Sequence, residues 1–537
     1  MKRLIVDVSS LLWQSLLAGK DKEFGMVVEH EGKEVHVNGW QFGQECAISH
    51  LLSVMGELDV VPIETIFVVE GAYSKQRRKA IYSGYKEGRD SRPSLAYEQF
   101  SILRDKLTQT FRNLGSQVVT QEGVEADDII AYLARNLDGE KVILTTDGDM
   151  ATLIEPVTLA AGLATCCGEA GMGMEVLRRT GVGLWRGGML TYENPYGPFP
   201  HKLIPVYKAM VGDGNEYKGA TRFGPKTFLD FLVWAGEAGL AALEGMMKRR
   251  TLHELADDVA EFKPLKLIID SAEHVYQSYD CALLHDEWVN TMRQPLEWKA
   301  GMVKPVSAFE DKRLHKWAQM VGLVTKANYG QTVEFFKEAA TLSPFFTLDI
   351  ETSTPEESDE WLIAGDKTNK VDVLGSKLTG LGLTFGRNNN RTLYFSVDHA
   401  GTENVSSADV MGIIRMIPSD KHIVIQNFAF EGPILYKEWG AQLKDKGWHG
   451  FLPNVIDTVF LASYVNENIS LGLKQGSKHY LDYEQQSYAD VTTVEVVDRV
   501  PILSGDTGPL QYEEVTRTIQ LKMNQLTAEH VLSYGAD

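Results

Sequence analysis

The chain has 537 residues, with 53 basic against 73 acidic side chains, a formal charge of −20 and 44% hydrophobic residues. This ordinary globular composition excludes a largely disordered chain, and the length asks for roughly three compact units. The acidity argues against a protein that coats nucleic acid through a basic surface, and no uncharged apolar run reaches the ~18 residues of a membrane span. Asp7 interrupts the apolar start, which argues against a secretory leader. Cys46, Cys166, Cys167 and Cys281 show no CxxC spacing, so neither a disulfide framework nor a zinc site is expected. A cytoplasmic protein with no membrane partner is the expectation.

In chain order, LIVDV (4–8) is a short apolar run that ends at an acid, the pattern of a buried parallel strand. TIFVVEG (65–71) and KVILTTDGD (141–149) repeat the form. Between them, residues 94–115 have helical periodicity and stop at a glycine, and DDIIAYLARNL (127–137) is a second amphipathic helix. The alternation predicts a parallel α/β sheet with ligands at the carboxyl ends of its strands. Residues 155–200 are glycine-rich and read as irregular, IPVYKAMVGDG (204–214) restores a helix, and 250–340 read as mostly helical. TLSPF (341–345) reads as a linker, and FFTLDIET (345–352) opens another strand-led region.

The acids recur where these strands and helices meet. Asp7, Glu70, Asp147 and Asp149 stand at or just past strand ends. Glu125 and Asp128 share a helix face with Asp127 beside them, and Asp213 and Glu216 are again three apart. A single Asp at a helix start is ordinarily a cap. Nine acids at the ends of successive elements would repel one another unless cations lay between them, which predicts bound divalent metal. Oxygen-only ligands favour Mg²⁺ or Mn²⁺, and two such ions about 4 Å apart suit phosphodiester hydrolysis. Seven basic residues fall between Lys75 and Arg92, with Tyr73, Tyr82 and Tyr85 nearby, a pattern on which a nucleic-acid strand can stack.

VDVSSLLW (6–13), YSGYKEGR (82–89), VEADDIIAYLA (124–134), LTTDGDMATLI (144–154) and VGDGNEYKGATRFGPKT (211–227) together resemble the 5′-nuclease family, which includes flap endonucleases and the 5′–3′ exonuclease portion of bacterial DNA polymerase I. The resemblance implies a PIN-like α/β domain over 1–204 and a helical DNA-binding region over 205–340. It puts Asp7, Glu70, Glu125, Asp127, Asp128, Asp147, Asp149, Asp213 and Glu216 at the positions of two metal ions. Lys86, with Arg77 or Arg78, would grip the scissile phosphate, and Arg89 would touch DNA. Gly219, Arg222, Gly224, Lys226 and Thr227 would form a helix–hairpin–helix element holding duplex backbone, with a bound K⁺. Glu70 and Glu216 depart from the family's usual Asp, and the loop before Glu216 is one residue shorter.

A second set of segments is similar to the 3′–5′ proofreading exonuclease of family A DNA polymerases. FTLDIET (346–352), HIVIQNFAFEGPIL (422–435), NVIDTVFLASYV (454–465), SLGLK (470–474) and LTAEHVLSYGAD (526–537) carry it. It implies a ribonuclease-H-like domain over 341–537, with Asp349, Glu351 and Glu431 as metal ligands and Tyr534 orienting the attacking water. The family's last acid follows its Tyr by four residues, so Asp537 stands one position early. The expectation is therefore the front part of a longer or split product whose 3′–5′ activity is weak. Together the two resemblances imply a phage-encoded, metal-dependent DNA nuclease of replication or repair. It would act on 5′ ends, flaps or nicks and on 3′ ends, beside a separate DNA polymerase. The alternative is a degenerate module that docks forked DNA without cutting it. HDE within LLHDEW (283–288) is a chance match to a polymerase motif, and Cys166–Cys167 a packing pair.

Overall fold

The computed structural model describes residues 2–17, 25–87, 93–154, 158–159, 162–163, 182–186, 189–191, 194–214, 216–291, 293–355, 372–440, 454–465, 468, 470–481, 483–502 and 511–535. Arg89, Cys166, Cys167 and Asp537 fall outside these residues. Contacts divide the chain into two units, Met1–Gly301 and Met302–Asp537. Among the described residues, no helix is long and apolar enough to cross a membrane.

The first unit begins with strand β1 (Lys2–Asp7), helix α1 (Val8–Leu17), the hairpin β2 (Gly25–His30) and β3 (Lys33–Asn38), and helix α2 (Trp40–Leu58). It continues through β4 (Thr65–Val68), α3 (Gln76–Ile81), α4 (Ser94–Arg112), β5 (Gln117–Thr120), α5 (Ala126–Asn136) and β6 (Glu140–Leu144). β1 pairs in parallel with β4 and β6, β4 with β5, and β6 with Val182–Arg186. Antiparallel strands Met189–Thr191 and Glu297–Lys299 close the two edges. Leu4, Ile5 and Val6 are fully buried because helices cover both faces of the sheet. Ile5, Ile66, Val68, Val119 and Ile143 point into a core with Ile129, Ile130 and Leu133 of α5. Phe67, alternating with them along β4, meets Phe111 of α4 with ring centroids 5.1 Å apart.

The chain lays β1, β4 and β5 side by side in one direction and then places β6 on the other flank of β1. The strand order therefore reverses between β1 and β6. Open parallel sheets bind ligands at the carboxyl ends of strands flanking such a reversal, and Asp7 and Asp147 lie there.

Residues 204–301 are not a separate helical region. Helices Ile204–Val211 and Pro225–Arg249 share one core with α5 and the sheet, through Val206, Met210, Phe228 and Phe231. Two strands in the expected irregular stretch, Val182–Arg186 and Met189–Thr191, extend the sheet, and Val182, Leu184 and Trp185 are buried.

The second unit starts earlier than position 341. Strand Met320–Val324 pairs with Arg391–Ser396, and helix Tyr329–Leu342 buries Phe336 and Ala340 in the second core. TLSPF is no linker, because that helix runs into it and Ser343 is buried, its hydroxyl accepting from Gly386 N at 3.1 Å. The sheet order is Met320–Val324, Arg391–Ser396, Lys377–Phe385, Phe346–Ser353, Ile423–Ile425 and Val455–Asp457, with the last three strands mutually parallel. Phe336, Phe346, Phe385 and Leu348 form its core.

Two glycines expected to touch DNA have different physical roles. A Cβ on Gly219 would meet Gly212 N and Met210 O, both at 2.4 Å, whereas Gly224 has open space and an ordinary extended backbone. Gly219→Ala is expected to destabilise the first unit by about 2 kcal/mol, whereas Gly224→Ala stays within ~0.5 kcal/mol. Urea unfolding of both variants checks this, and equal midpoints would refute it.

Candidate active site

A cavity of about 990 Å³ opens at the carboxyl ends of β1, β4 and β6. Asp7, Glu70, Glu125, Asp127, Asp147, Asp149, Asp213 and Glu216 line it, together with Arg78, Lys86 and Lys208. Of the nine acids singled out in the sequence, only Asp128 is absent from this lining. It is fully buried, and Arg78 grips it in a fork, with Nη1 to Oδ2 at 2.7 Å and Nη2 to Oδ1 at 2.8 Å.

Strand geometry and local hydrogen bonds set each carboxylate. Asp7 ends β1, where its Oδ1 accepts from Ser10 N (3.1 Å) at the start of α1 and its Oδ2 from the Thr145 hydroxyl (2.8 Å). Asp147 accepts from Asp149 N at 2.9 Å, and Glu70 accepts from the Ser74 hydroxyl. Asp149 accepts from Tyr196 OH at 2.7 Å and also from Lys208. The short hairpin Gly212–Lys218 brings Asp213 and Glu216 to the cavity wall, with Glu216 N bonded to Asp213 O at 2.7 Å.

Burial and mutual repulsion push several of these acids up. Asp7 is raised by burial and by Glu70. Asp127 is raised well above the ordinary range by burial, Asp147, Asp7 and Glu125. Asp147 is raised by burial with Asp7 and Glu216, against the opposing pull of Lys208, and Asp149 is pushed up to about 6 by burial and Asp147. Glu125 goes the other way: burial opposes it, but Lys86 and Arg78 hold it below its usual value.

The basic residues divide into two kinds. Arg78 spends all five N–H donors inside the protein: Nε on Cys281 O, Nη1 on Glu125 and Asp128, and Nη2 on Asp128 and Leu283 O. It is therefore a scaffold between the carboxylates and the 281–288 segment, which corrects the expectation of a phosphate grip. Arg77 lies outside the cavity and bonds Gln294 Oε1 at 2.6 Å. Lys86 does line the cavity; its Nζ is 2.8 Å from Glu125 Oε1 and 3.8 Å from Glu216 Oε1. Arg222 and Lys226 are exposed, outside the cavity lining, on the segment that leads from the Gly212–Lys218 hairpin into helix Pro225–Arg249.

Sequence reasoning missed Lys208, Tyr196 and the 281–288 segment. A lone lysine in the apolar helix Ile204–Val211 was the available signal for the first. The discounted His285 donates its backbone N–H to Asp128 at 2.8 Å and stacks on Trp288 with centroids 3.8 Å apart, so the segment is a buttress.

In the second unit, Asp349 and Glu351 lie on strand Phe346–Ser353, and Asp349 faces Glu431. Burial and Asp349 raise Glu431 and Glu351 well above the carboxylate range. Among the described residues, the buried Glu431 Oε2 has no hydrogen-bond partner. Tyr534 packs half-buried against the cluster of Tyr394, Val491 and Val531. Its turn rests on Gly382, the strand partner of Asp349, where a Cβ would meet Gly535 O at 2.3 Å. Asp457 was missed; it accepts from the backbone N–H groups of Asn427, Phe428 and Val459 at 2.9–3.0 Å.

Among the described residues, no three His, Cys, Asp or Glu side chains are gathered as a ready metal-holding group. In the first unit, Arg78, Lys86 and Lys208 each pair with two carboxylates. Asp7, Asp127 and Asp147 make no ion pair among the described residues, although Lys86 and Lys208 oppose the rise of Asp127 and Asp147, and their oxygen-only, mutually repelling donors fit a hard divalent ion.

A concave, acid-lined cavity with buried cations thus lies at the reversal of the parallel sheet. The profile of the 5′–3′ exonuclease N-terminal resolvase-like domain matches residues 2–175. The 5′–3′ exonuclease of Aquifex aeolicus is 30% identical over 171 residues, covering 31% of this chain and 51% of that protein. DNA polymerase I of Pseudomonas aeruginosa is 29% identical over 242 residues, covering 44% of this chain and 23% of that protein. The T5 5′-exonuclease, solved with zinc bound, aligns at 17% identity over 54% of this chain and 91% of its own, with a TM-score of 0.37. The chain spans about half or less of the length of the curated relatives it matches.

The crowding carries a stability cost. A carboxyl raised in the folded state favours folding at low pH, and that contribution is lost as pH rises through its folded value. Asp127→Asn removes one such group. In chelator at pH 8 the variant is expected to be more stable than wild type by ~1 kcal/mol, and the gain should vanish as pH falls into the ordinary carboxylate range. Thermal melts at both pH values check it; a variant less stable at pH 8 would contradict the account.

Proposed function

We propose that the first unit is a metal-dependent nuclease that cuts DNA phosphodiester bonds at 5′ ends, flaps or nicks. One observation carries this reading: eight carboxylates and three buried cations face a single cavity at the sheet's reversal point. The 5′–3′ exonuclease profile over 2–175 supports it. When bound, two Mg²⁺ or Mn²⁺ ions would activate water and stabilise the leaving oxygen. Asp7, Glu70, Glu125, Asp127, Asp147, Asp149, Asp213 and Glu216 are the residues that would hold them. Lys86 has an ammonium at the cavity wall, suited to draw the scissile phosphate in and to balance its charge. Gly224 and Pro225 open the helix Pro225–Arg249, whose free backbone N–H groups, with exposed Arg222 and Lys226, suit duplex phosphates in a helix–hairpin–helix manner, with a K⁺ site there. We read residues 1–301 as this nuclease with its DNA-binding region, and a DNA polymerase as its working partner.

A second reading concerns residues 302–537. Half-buried Asp349 and buried Glu351 lie on one strand, buried Glu431 on helix Phe428–Trp439, and the strand order 391–396, 377–385, 346–353, 423–425, 455–457 suits a ribonuclease-H-like sheet. We assign it a 3′–5′ exonuclease site in which Glu431 stands for an Asp and Tyr534 orients water.

A forked DNA labelled separately at each end, incubated with Mg²⁺, tests both. Asp147→Asn is expected to lower 5′ cleavage by at least ~10²-fold while leaving DNA affinity in chelator within about threefold. Asp349→Ala should spare 5′ cutting and abolish any 3′ trimming. Binding without cutting by the wild-type chain would instead favour a DNA-docking module. Lys86→Ala should slow 5′ cutting and reduce its salt dependence, since a phosphate contact is lost.

A further inference from the structure

The Lys208 side chain is only 5% exposed, at the wall of the acid-lined cavity. Helix Ile204–Val211 is otherwise apolar apart from Tyr207, and Ile204, Val206, Ala209 and Met210 around the lysine are buried. An ammonium taken so far out of water is tolerated only when anions and hydrogen bonds replace its hydration. Lys208 finds both: Nζ donates to Asp149 and to Asp213, and it lies 5.3 Å from the centre of the Tyr196 ring. Tyr196 OH in turn donates to Asp149 at 2.7 Å, so the pair of carboxylates is fixed from two sides.

Both carboxylate oxygens reach a single nitrogen, so they stand a few ångströms apart, close to the spacing that one divalent ion would bridge. An ammonium and a divalent ion cannot occupy that gap together. The acids on the β1–β6 side differ. Asp7, Asp127 and Asp147 have no basic side chain in ion-pair contact among the described residues, while Glu125 is already paired with Arg78 and Lys86. The cavity is thus lopsided, with one end short of positive charge and the other already supplied.

We propose that Lys208 is a built-in cation occupying the gap between Asp149 and Asp213, so that the free chain takes one divalent ion at Asp7, Asp127 and Asp147 and a second only by displacing the lysine. The inference rests on the metal-dependent reading of this cavity and adds an order of filling to it. The second ion would enter when some other demand for positive charge, such as an incoming phosphate, favours the exchange. Lys208 would then swing out as a further cation for the substrate.

The test counts Mn²⁺ bound to the full chain, without nucleic acid, by the electron paramagnetic resonance of free ion. Wild type should take one ion, with any second at least about tenfold weaker. Lys208→Met, which keeps the packing and removes the charge, should take two ions of affinities within about threefold, and Lys208→Arg should behave as wild type. Two equivalent ions in wild type, or one ion in both wild type and Lys208→Met, would overturn the proposal. No bound Mn²⁺ in any of these chains would defeat the metal-dependent reading itself. If Lys208→Met does not fold, Asp213→Asn decides: it should keep the first ion and lose the weak second one, and loss of the first ion would overturn the assignment.

Discussion

Carboxylates do not gather in a protein interior without compensation. The first unit brings eight to one cavity, and its architecture reads as the means of tolerating them. Part of the compensation comes from backbone and hydroxyl donors, as at Asp7 with Ser10 and Thr145. The larger part comes from three buried cations, each shared between two acids. Asp7, Asp127 and Asp147, which make no ion pair among the described residues, are still raised by burial and by neighbouring acids. A site of this kind stores repulsion in its resting form and releases it when a cation or a proton arrives.

Arg78 ties the matched stretch, residues 2–175, to a segment well beyond it. Its guanidinium bonds Glu125 and Asp128 on one side and the carbonyls of Cys281 and Leu283 on the other. The acid-bearing helix α5 therefore needs the 281–288 segment to complete its charge balance. The backbone N–H of His285 adds a further donor to Asp128. Residues that look remote from the chemistry are joined to it through one arginine.

Much of this was legible in the residues. The three acid-ended apolar runs are β1, β4 and β6, and their acids do converge, because parallel strands carry their carboxyl ends to one side. Illegible were facts that depend on tertiary partners. Asp128 and Asp127 are neighbours with the same side chain, yet one turns to Arg78 and the other to the cavity; a helix places successive residues about 100° apart, and only the fold says which direction is wet. Arg77 and Arg78 part company for the same reason. The strand Met320–Val324 was hidden in a stretch read as helical, since a short apolar run has no period that separates strand from buried helix. Lys208 was overlooked because a single lysine carries no spacing signal at all.

The second unit has the same problem of crowded acids. Asp349, Glu351 and Glu431 make no ion pair among the described residues, and Asp349 and Glu431 stand against each other. Burial raises all three, and repulsion from Asp349 adds to the rise of Glu351 and Glu431, so among the described residues the crowding here is not offset by a basic side chain as it is at Lys208 and Arg78. The extra methylene of Glu431 matters for the approach to Asp349. Glu431 projects from helix Phe428–Trp439, and Asp349 from a neighbouring strand, so the longer side chain gives added reach across the gap. Glu70 uses its length similarly, meeting the Ser74 hydroxyl one turn further along the chain. In both cases the longer side chain reaches a partner across the gap, the Ser74 hydroxyl for Glu70 and Asp349 for Glu431.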